Sequence, residues 1–243
     1  MTNVIIDRRD KNQPVLSIVI VTFNAGKTLR KTLDSILDLN LESIEVVVID
    51  GDSSDDTLKI LEEYKVLINY AVSEIDQGIY DAMNKGVGLS KGRYVYFLGA
   101  DDLLLTDFSK LVNLAKSSRK ILYSNVKLLT DNSIYLGRFN KYKIMQSNIC
   151  HQAIFYPRVI FDDLQYKLKY KLLSDYWLNI YLFGKFEWEY HELTICLYND
   201  QGASSSGDLD FENDKVSLIR REFGLFFYTI KLMRNFLVSC LKG

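Results

Sequence analysis

A chain of 243 residues, 48% of them apolar and 25% charged, can bury a substantial core and is too balanced for a disordered or low-complexity class. Its net charge of −1 gives no basic surplus with which to hold a nucleic acid, but the charge is unevenly spread. Residues 1–102 hold 17 Asp and Glu against 11 Lys and Arg, and residues 103–243 hold 14 acids against 19 bases. Beside the plain reading of chance, that split suits a cation-handling half joined to one that meets an anionic partner.

In chain order, Val15–Val21 (VLSIVIV) is a continuous apolar run, the pattern of a strand buried on both faces. Gly26–Leu39 carries Leu29, Leu33, Ile36 and Leu37 at helical spacing. Glu45–Ile49 predicts a second strand and Asp55–Tyr64 a second helix, with Ser53, Ser54 or Asp55 available to cap it. Ile79–Leu89 reads as a helix, Arg93–Leu98 as a strand and Thr106–Ala115 as a further helix. Such alternation implies right-handed crossovers and a largely parallel sheet. Beyond it, Ile121–Leu129 and Ser133–Phe139 are read as paired strands and Ser174–Phe183 as a helix. Phe186–Tyr190 and Leu193–Tyr198 are read as two strands, and Asp208 onward as one long helix. Three scattered cysteines (Cys150, Cys196, Cys240) suit a reducing compartment, and the opening MTNVIIDRRDKN is too polar for a secretory signal, so a cytoplasmic protein is expected.

In open α/β sheets ligands sit at the carboxyl ends of the strands. Here those ends carry Thr22, Phe23 and Asn24, then Asp50, Gly51 and Asp52, then Gly99, Ala100, Asp101 and Asp102. The adjacent carboxylates of Asp101 and Asp102 repel each other unless a cation or a proton lies between them. A turn before a helix N-terminus, where aspartate is favoured anyway, is the plainer account. Two acidic pairs on neighbouring strands instead call for a cation, a sugar or a base, and oxygen ligands suit Mg²⁺ or Mn²⁺ carrying substrate phosphates. Other motifs fail. "NAGKT" (Asn24–Thr28) lacks the glycine a P-loop needs at position 21, and no G-x-G-x-x-G follows the first strand. The only histidines are His151 and His191, "HELTI" lacks the second histidine of a zinc protease, and there is no C-x-x-C.

Taken together and in order, "VTFN", "VVVIDGDSSDDT", "SEIDQGIYDAMNKGVGLSKGRYVYFLGADD" and "LLSDYW" resemble glycosyltransferase family 2 over roughly residues 15–205. The resemblance implies the GT-A fold of nucleotide-diphospho-sugar transferases: α/β, with a mostly parallel Rossmann-like sheet flanked by helices. It implies a domain over 1–207, with residues 15–102 holding the nucleotide-sugar and 103–207 the acceptor, and a helical extension over 208–243. By the same resemblance Thr22, Asn24 and Asp50 line the base and ribose pocket, Asp50 accepting from the uracil N–H, with Asp52 a weaker candidate. Asp76, Asn84 and Lys85 contact the nucleotide or donor sugar. Asp101 faces the ribose or donor sugar, and Asp102 binds Mn²⁺ or Mg²⁺ directly. Asp175 is the general base, against the plainer reading of a helix cap, and His151 and Gln152 of "CHQAIF" lie beneath the acceptor. The loop Gln201–Gly207 either closes over the donor or is a surface linker.

The reaction so implied is transfer with inversion from a UDP-sugar to a saccharide on a polyprenyl diphosphate, forming a β-linkage in O-antigen, capsule or exopolysaccharide synthesis. Two other classes compete. A sugar-nucleotidyltransferase needs a glycine-rich basic loop where "TFNAGKTLRK" stands, and a non-catalytic nucleotide-sugar-binding protein has no use for Asp102 and Asp175. Residues 217–243 are apolar and basic, but Lys231 and Arg234 interrupt them too soon for a membrane span. Either they pack on the domain, or they lie peripherally on the anionic inner face of the cell membrane.

Overall fold

The computed structural model describes residues 2–8, 13–135, 137–201 and 207–242, the last eight of these by their backbone alone. The first half runs β1 (Asn3–Asp7), β2 (Leu16–Thr22), α1 (Leu29–Asp38), β3 (Ile44–Asp50), α2 (Thr57–Glu63), β4 (Tyr70–Ser73), α3 (Ile79–Leu89), β5 (Tyr94–Gly99), β6 (Leu103–Leu104) and α4 (Asp107–Ala115). The second half runs β7 (Ile121–Leu128), β8 (Ile134–Tyr135), α5 (Lys141–Ile144), β9 (Ile154–Pro157), α6 (Ser174–Lys185), β10 (Trp188–Tyr198), α7 (Leu209–Phe223) and α8 (Leu225–Lys242). Short 3₁₀ turns at His151–Ala153 and Arg158–Asp162 flank β9.

Among the described residues the strands join one sheet in the order β1-β4-β3-β2-β5-β9-β7-β10-β6, with β8 beside β7. Its centre is parallel, as the alternation implies: β4, β3, β2 and β5 run the same way. Leu16, Ile18, Val19, Ile20 and Val46–Ile49 have no exposed surface, because α-helices cover a sheet of this kind on both faces. The flanks are mixed: β1 pairs antiparallel with β4 and β9 runs antiparallel between β5 and β7, whereas β10 again runs parallel to β7.

Two expectations are corrected in the second half. The separate strands at 186–190 and 193–198 are one strand, β10, whose pairing with β7 slips in register between Tyr190 and Thr194 and again before Cys196. Bulges of this kind let polar His191 and Glu192 interrupt the apolar pattern without ending the strand. The long helix after Asp208 is two helices, broken at Gly224, whose φ of 85° is a left-handed conformation that glycine adopts without strain. Asp208 caps α7 by accepting from Phe211 N, and Phe211, Leu218 and Ile219 join the same apolar core as α6. Residues 208–223 are therefore continuous with the packing of the preceding domain.

Register sets the site. Thr22 lies opposite Asp50, and Val21 lies between Ile49 and Gly99, so three strand ends stand side by side. On the other flank β6 is antiparallel to β10, with Leu103 opposite Leu197. That pairing brings Asn199 back over Asp101 and Asp102.

Candidate functional site

Two adjoining cavities open at the carboxyl edge of the central strands, and Val21 and Ile79 line both. The first, about 610 Å³, is walled by Phe23, Ile75 and Ile79, with Gly51, Asp52 and Asp76 at its polar side. These three apolar side chains are exposed, Phe23 at 67% and Ile75 at 76%. Exposed apolar walls beside carboxylates suit a planar heterocycle that stacks and donates N–H groups. Asp76 accepts from Gly78 N through Oδ1 (2.8 Å), and Asp52 reaches the cavity from a left-handed backbone, φ 66°.

Several residues expected in this pocket serve it from behind. Asp50 is fully buried, and its carboxylate takes donors from Thr22 Oγ1 (2.9 Å), Ser53 N and Oγ (2.9 and 2.6 Å) and Ser73 Oγ (2.6 Å). A carboxylate with about four lone-pair directions has none left for a uracil N–H, so Asp50 ties the ends of β2 and β4 to the turn after β3. Asn24 is likewise structural: its N donates to Ser53 Oγ (2.7 Å) and its Oδ1 accepts from Ser54 N (3.0 Å). Asn84 clasps the backbone of Tyr166, donating to its O (3.0 Å) and accepting from its N (2.9 Å). Lys85 donates to Ile75 O (3.1 Å) and pairs with Glu74 (2.9 Å) and Asp81 (3.3 Å). Thr22 borders the cavity, but its hydroxyl is spent on Asp50.

The second cavity, about 570 Å³, is lined among others by Asp101, Asn148, His151, Asp175, Tyr198 and Asn199. Asp101 is exposed and accepts from Asn199 Nδ2 (2.7 Å) through Oδ2. Asp102, expected to hold a metal directly, has no exposed surface. Its Oδ1 accepts from Asn199 N (2.7 Å), and its Oδ2 from Gln152 Nε2 (2.9 Å) and Gly99 N (3.2 Å). Burial, with the neighbouring charge of Asp101 adding to it, pushes the Asp102 carboxyl up to about 6 against the pull of those donors. Position 99 must be glycine for this turn to close, since a Cβ there would stand 2.4 Å from Asp102 Oδ2. Gln152, expected beneath the acceptor, also lines this cavity, and its Nε2 clamps Asp102. No group of three or more His, Cys, Asp or Glu side chains able to hold a metal forms among the described residues. The donor set that fits a divalent cation is the exposed Asp101 completed by ligand oxygens, the arrangement Mg²⁺ takes with substrate phosphates.

Asp175 sits in the first turn of α6 and is 5% exposed. The helix dipole favours its charge there. Oδ1 accepts from Tyr80 Oη (2.9 Å) and Tyr176 N (2.8 Å), and Oδ2 from Asn148 Nδ2 (2.8 Å). Burial, then the charge of Asp175, holds the Tyr80 phenol well above its usual range, so it stays a donor. Asn179 Nδ2 in turn donates to Asn148 Oδ1 (2.9 Å), and Tyr156 Oη to Asn179 Oδ1 (2.7 Å). This buried chain fixes the carboxylate far more firmly than a simple helix cap requires. Sequence reading missed Tyr80, Asn148 and Asn199. Asn199 was findable, because it follows a strand at the edge where ligands bind; Tyr80 and Asn148 carried no signal outside the fold. Residues 202–206 of the expected donor-covering loop lie outside the described residues.

Comparison with known proteins agrees with this geometry. The family model for glycosyl transferase family 2 matches residues 17–174. A Mycobacterium tuberculosis PGL/p-HBAD biosynthesis glycosyltransferase is 34% identical over 211 residues, 82% of each chain. An Escherichia coli UDP-Glc:alpha-D-GlcNAc-diphosphoundecaprenol beta-1,3-glucosyltransferase is 29% identical over 128 residues, 51% of this chain and 50% of the relative. Among solved structures, S. aureus TarS 1–349 in complex with UDP-GlcNAc superposes with a TM-score of 0.72 at 17% identity, over 85% of this chain and 66% of that one.

Proposed function

The chain belongs to glycosyltransferase family 2, and from that premise we propose that it moves a sugar from a UDP-sugar to a lipid-linked saccharide with inversion. One observation carries this reading: a base-sized apolar cavity with carboxylates at its polar side adjoins a cavity lined by both Asp101 and Asp175. Uracil stacks between Phe23 and Ile75, and its N–H donates to Asp76 or Asp52, taking the role expected of Asp50. The diphosphate lies toward Asp101. A Mn²⁺ or Mg²⁺ held there by Asp101 would offset the charge that develops on the leaving diphosphate. Asp175, across the second cavity, supplies the negative charge that draws the proton from the acceptor hydroxyl. Attack opposite the leaving group on an α-linked donor gives a β-linkage. The E. coli relative's UDP-glucose donor and undecaprenyl-diphosphate acceptor support this choice of substrates.

Titration with nucleotides tests the pocket. UDP should bind more tightly than ADP, and Asp76→Ala should weaken UDP by about tenfold, ~1.4 kcal/mol. Equal affinity for the two nucleotides would overturn the assignment of the first cavity.

The acceptor's lipid also gives α8 a role. Among the described residues no helix is long and apolar enough to cross a membrane. Leu225, Phe226, Thr229, Leu232 and Met233 nevertheless form one exposed face of α8, with Arg220, Arg221 and Arg234 exposed near it. Lys231, counted from sequence among the surface bases, is turned inward and donates to Met145 O (3.4 Å). An apolar face flanked by arginines suits the plane of an anionic inner leaflet. Co-sedimentation with phosphatidylglycerol vesicles should be lost in Phe226→Glu; equal binding by both proteins would leave α8 as packing alone.

A further inference from the structure

Three cations gather where α7 meets α8, around a single acid. Lys215 of α7 is buried, its ammonium over the Tyr176 ring at 4.3 Å and the Phe211 ring at 5.4 Å. Glu212 Oε1 stands 3.6 Å from that ammonium, beyond hydrogen-bond distance, on a side chain that is 54% exposed. Lys231 of α8 is also buried, and its Nζ donates to Met145 O at 3.4 Å. The charge of Lys231 acts on Lys215, and that of the exposed Arg234 acts on both. Glu212 is the acid whose charge supports both lysines, so three cations share one solvent-facing carboxylate. Burying ammoniums with so little compensation is costly. Burial, with Lys231 adding to it, pulls the Lys215 amine down to about 8, which still leaves it largely protonated at neutral pH. Such a cluster calls for an anion that the described residues do not supply.

Its position says which anion. Asp208, at the start of α7, accepts through Oδ2 from Leu172 N (2.9 Å), and Leu172 lines the second cavity. Lys215 follows Asp208 by seven residues, about 10 Å along a helix. Tyr176, beneath the Lys215 ammonium, directly follows Asp175, and Tyr135 of the same cavity is close enough for its charge to act on the Tyr176 phenol. On the outer side Leu232 and Met233, between Lys231 and Arg234 in sequence, are exposed. An anion on the three cations would have the cavity of Asp175 on one side and an apolar helix face on the other. Sugar, phosphate and hydrocarbon in that order is the chemistry of a lipid-linked saccharide. We propose that Lys215, Lys231 and Arg234 form the seat for the diphosphate of such an acceptor, whose hydrocarbon runs along Leu232 and Met233. This deepens the transferase reading and rests on it.

The residue types suit the task. Each ammonium offers three donors as a compact charge, and a guanidinium can take two phosphate oxygens at once. Glu212 is exposed, so its carboxylate can turn to solvent as phosphate oxygens take its place. Once seated, the diphosphate fixes how deep the attached sugar enters the cavity and so which hydroxyl meets Asp175. The cations make this contact equally in the bound complex and in the transition state. They therefore govern acceptor binding, KM, and leave kcat nearly alone.

Two measurements decide it. The first is calorimetric titration of the full chain with farnesyl diphosphate, with UDP saturating so that the donor pocket is closed to it. Lys215→Met and Lys231→Met should each weaken binding by about tenfold or more, the scale of a lost charge-assisted hydrogen bond. Lys215→Met removes a buried charge and should fold at least as well as the wild type, so misfolding does not blur the result. Unchanged affinity in both variants would overturn the seat. Loss of co-sedimentation with phosphatidylglycerol vesicles in Lys215→Met, with farnesyl diphosphate affinity unchanged, would give the cluster to membrane headgroups and overturn it too. The second measurement is turnover on undecaprenyl-diphosphate-linked GlcNAc and on octyl-GlcNAc, which has no phosphate. Lys215→Met should raise KM about tenfold for the first acceptor, with kcat nearly unchanged, and match the wild type on the second. An equal loss on both acceptors would mark a structural role and contradict the proposal. Failure of the transferase reading would show separately, as absence of UDP binding by the wild-type chain, while the farnesyl diphosphate titration still reads the seat.

Discussion

Gln152 donates from Nε2 to Asp102 Oδ2 across 2.9 Å, joining the 3₁₀ turn before β9 to the end of β5. Both residues are buried, and the bond ties the wall of the second cavity, which Gln152 lines, to the end of β5. Replacing Gln152 by Leu removes a donor from a buried carboxylate and should cost about 1.5–3 kcal/mol in denaturant unfolding. Gln152→Glu should cost more at pH 8 than at pH 5, because a second buried carboxylate then faces the first.

Asn84 offers a cleaner separation of fold from ligand. Its side chain closes two hydrogen bonds on the backbone of Tyr166, so Asn84→Ala leaves a backbone donor and acceptor unpaired. The expected outcome is a loss of about 1–3 kcal/mol in stability with UDP affinity unchanged in calorimetry. A selective loss of UDP binding would restore the contact role that sequence reading gave it.

The paired aspartates should respond differently to the same change. Asp101→Asn leaves the fold intact and should lower turnover by roughly 10²-fold or more, the scale for one lost electrostatic stabiliser. Asp102→Asn should lower the unfolding midpoint as well, since one of its three donors must then meet an N–H₂ group. Excess chelator should abolish activity, and addition of Mn²⁺ or Mg²⁺ should restore it; full activity in chelator would remove the metal from the account.

Lys215 gives a pH signature of its own. It is 5% exposed, lies over the Tyr176 ring at 4.3 Å and stands 3.6 Å from Glu212. Burial, aided by the nearby charge of Lys231, pulls its amine down to about 8, below the ordinary ~10.4. The native state therefore disfavours the charged form: this cost is absent above pH ~10.4, grows as pH falls from there towards 8, and is fully present below 8. Lys215→Met should raise the unfolding midpoint by about 2–4 °C at pH 7, and the gain should shrink between pH 8 and 10.

Much of the fold was legible because buried parallel strands are apolar on both faces, as LSIVIVT and EVVVI are. β1 escaped because its residues are largely exposed, and β10 was divided because bulges accommodate polar residues in mid-strand. Within the site, sequence order located the strand ends but not which way each carboxylate turns. Asp50 and Asp52 are two residues apart, yet one is sealed between strand ends and the turn after β3 and the other is exposed from a left-handed turn. Asp101 and Asp102 are adjacent and divide in the same way. Orientation came from Ser53, Ser73, Gln152 and Asn199, residues distant in sequence or chemically plain.

The most direct test of the central claim is UDP release from UDP-glucose and UDP-GlcNAc with undecaprenyl-diphosphate-linked GlcNAc as acceptor and Mn²⁺ present, comparing the wild-type chain with Asp175→Asn. Acceptor-dependent release by the wild type, a β-linked product by NMR, and a fall of about 10²–10⁴-fold in Asp175→Asn with UDP affinity retained are the predicted results. An α-linked product, or wild-type turnover in Asp175→Asn, would contradict an inverting transfer driven from that carboxylate.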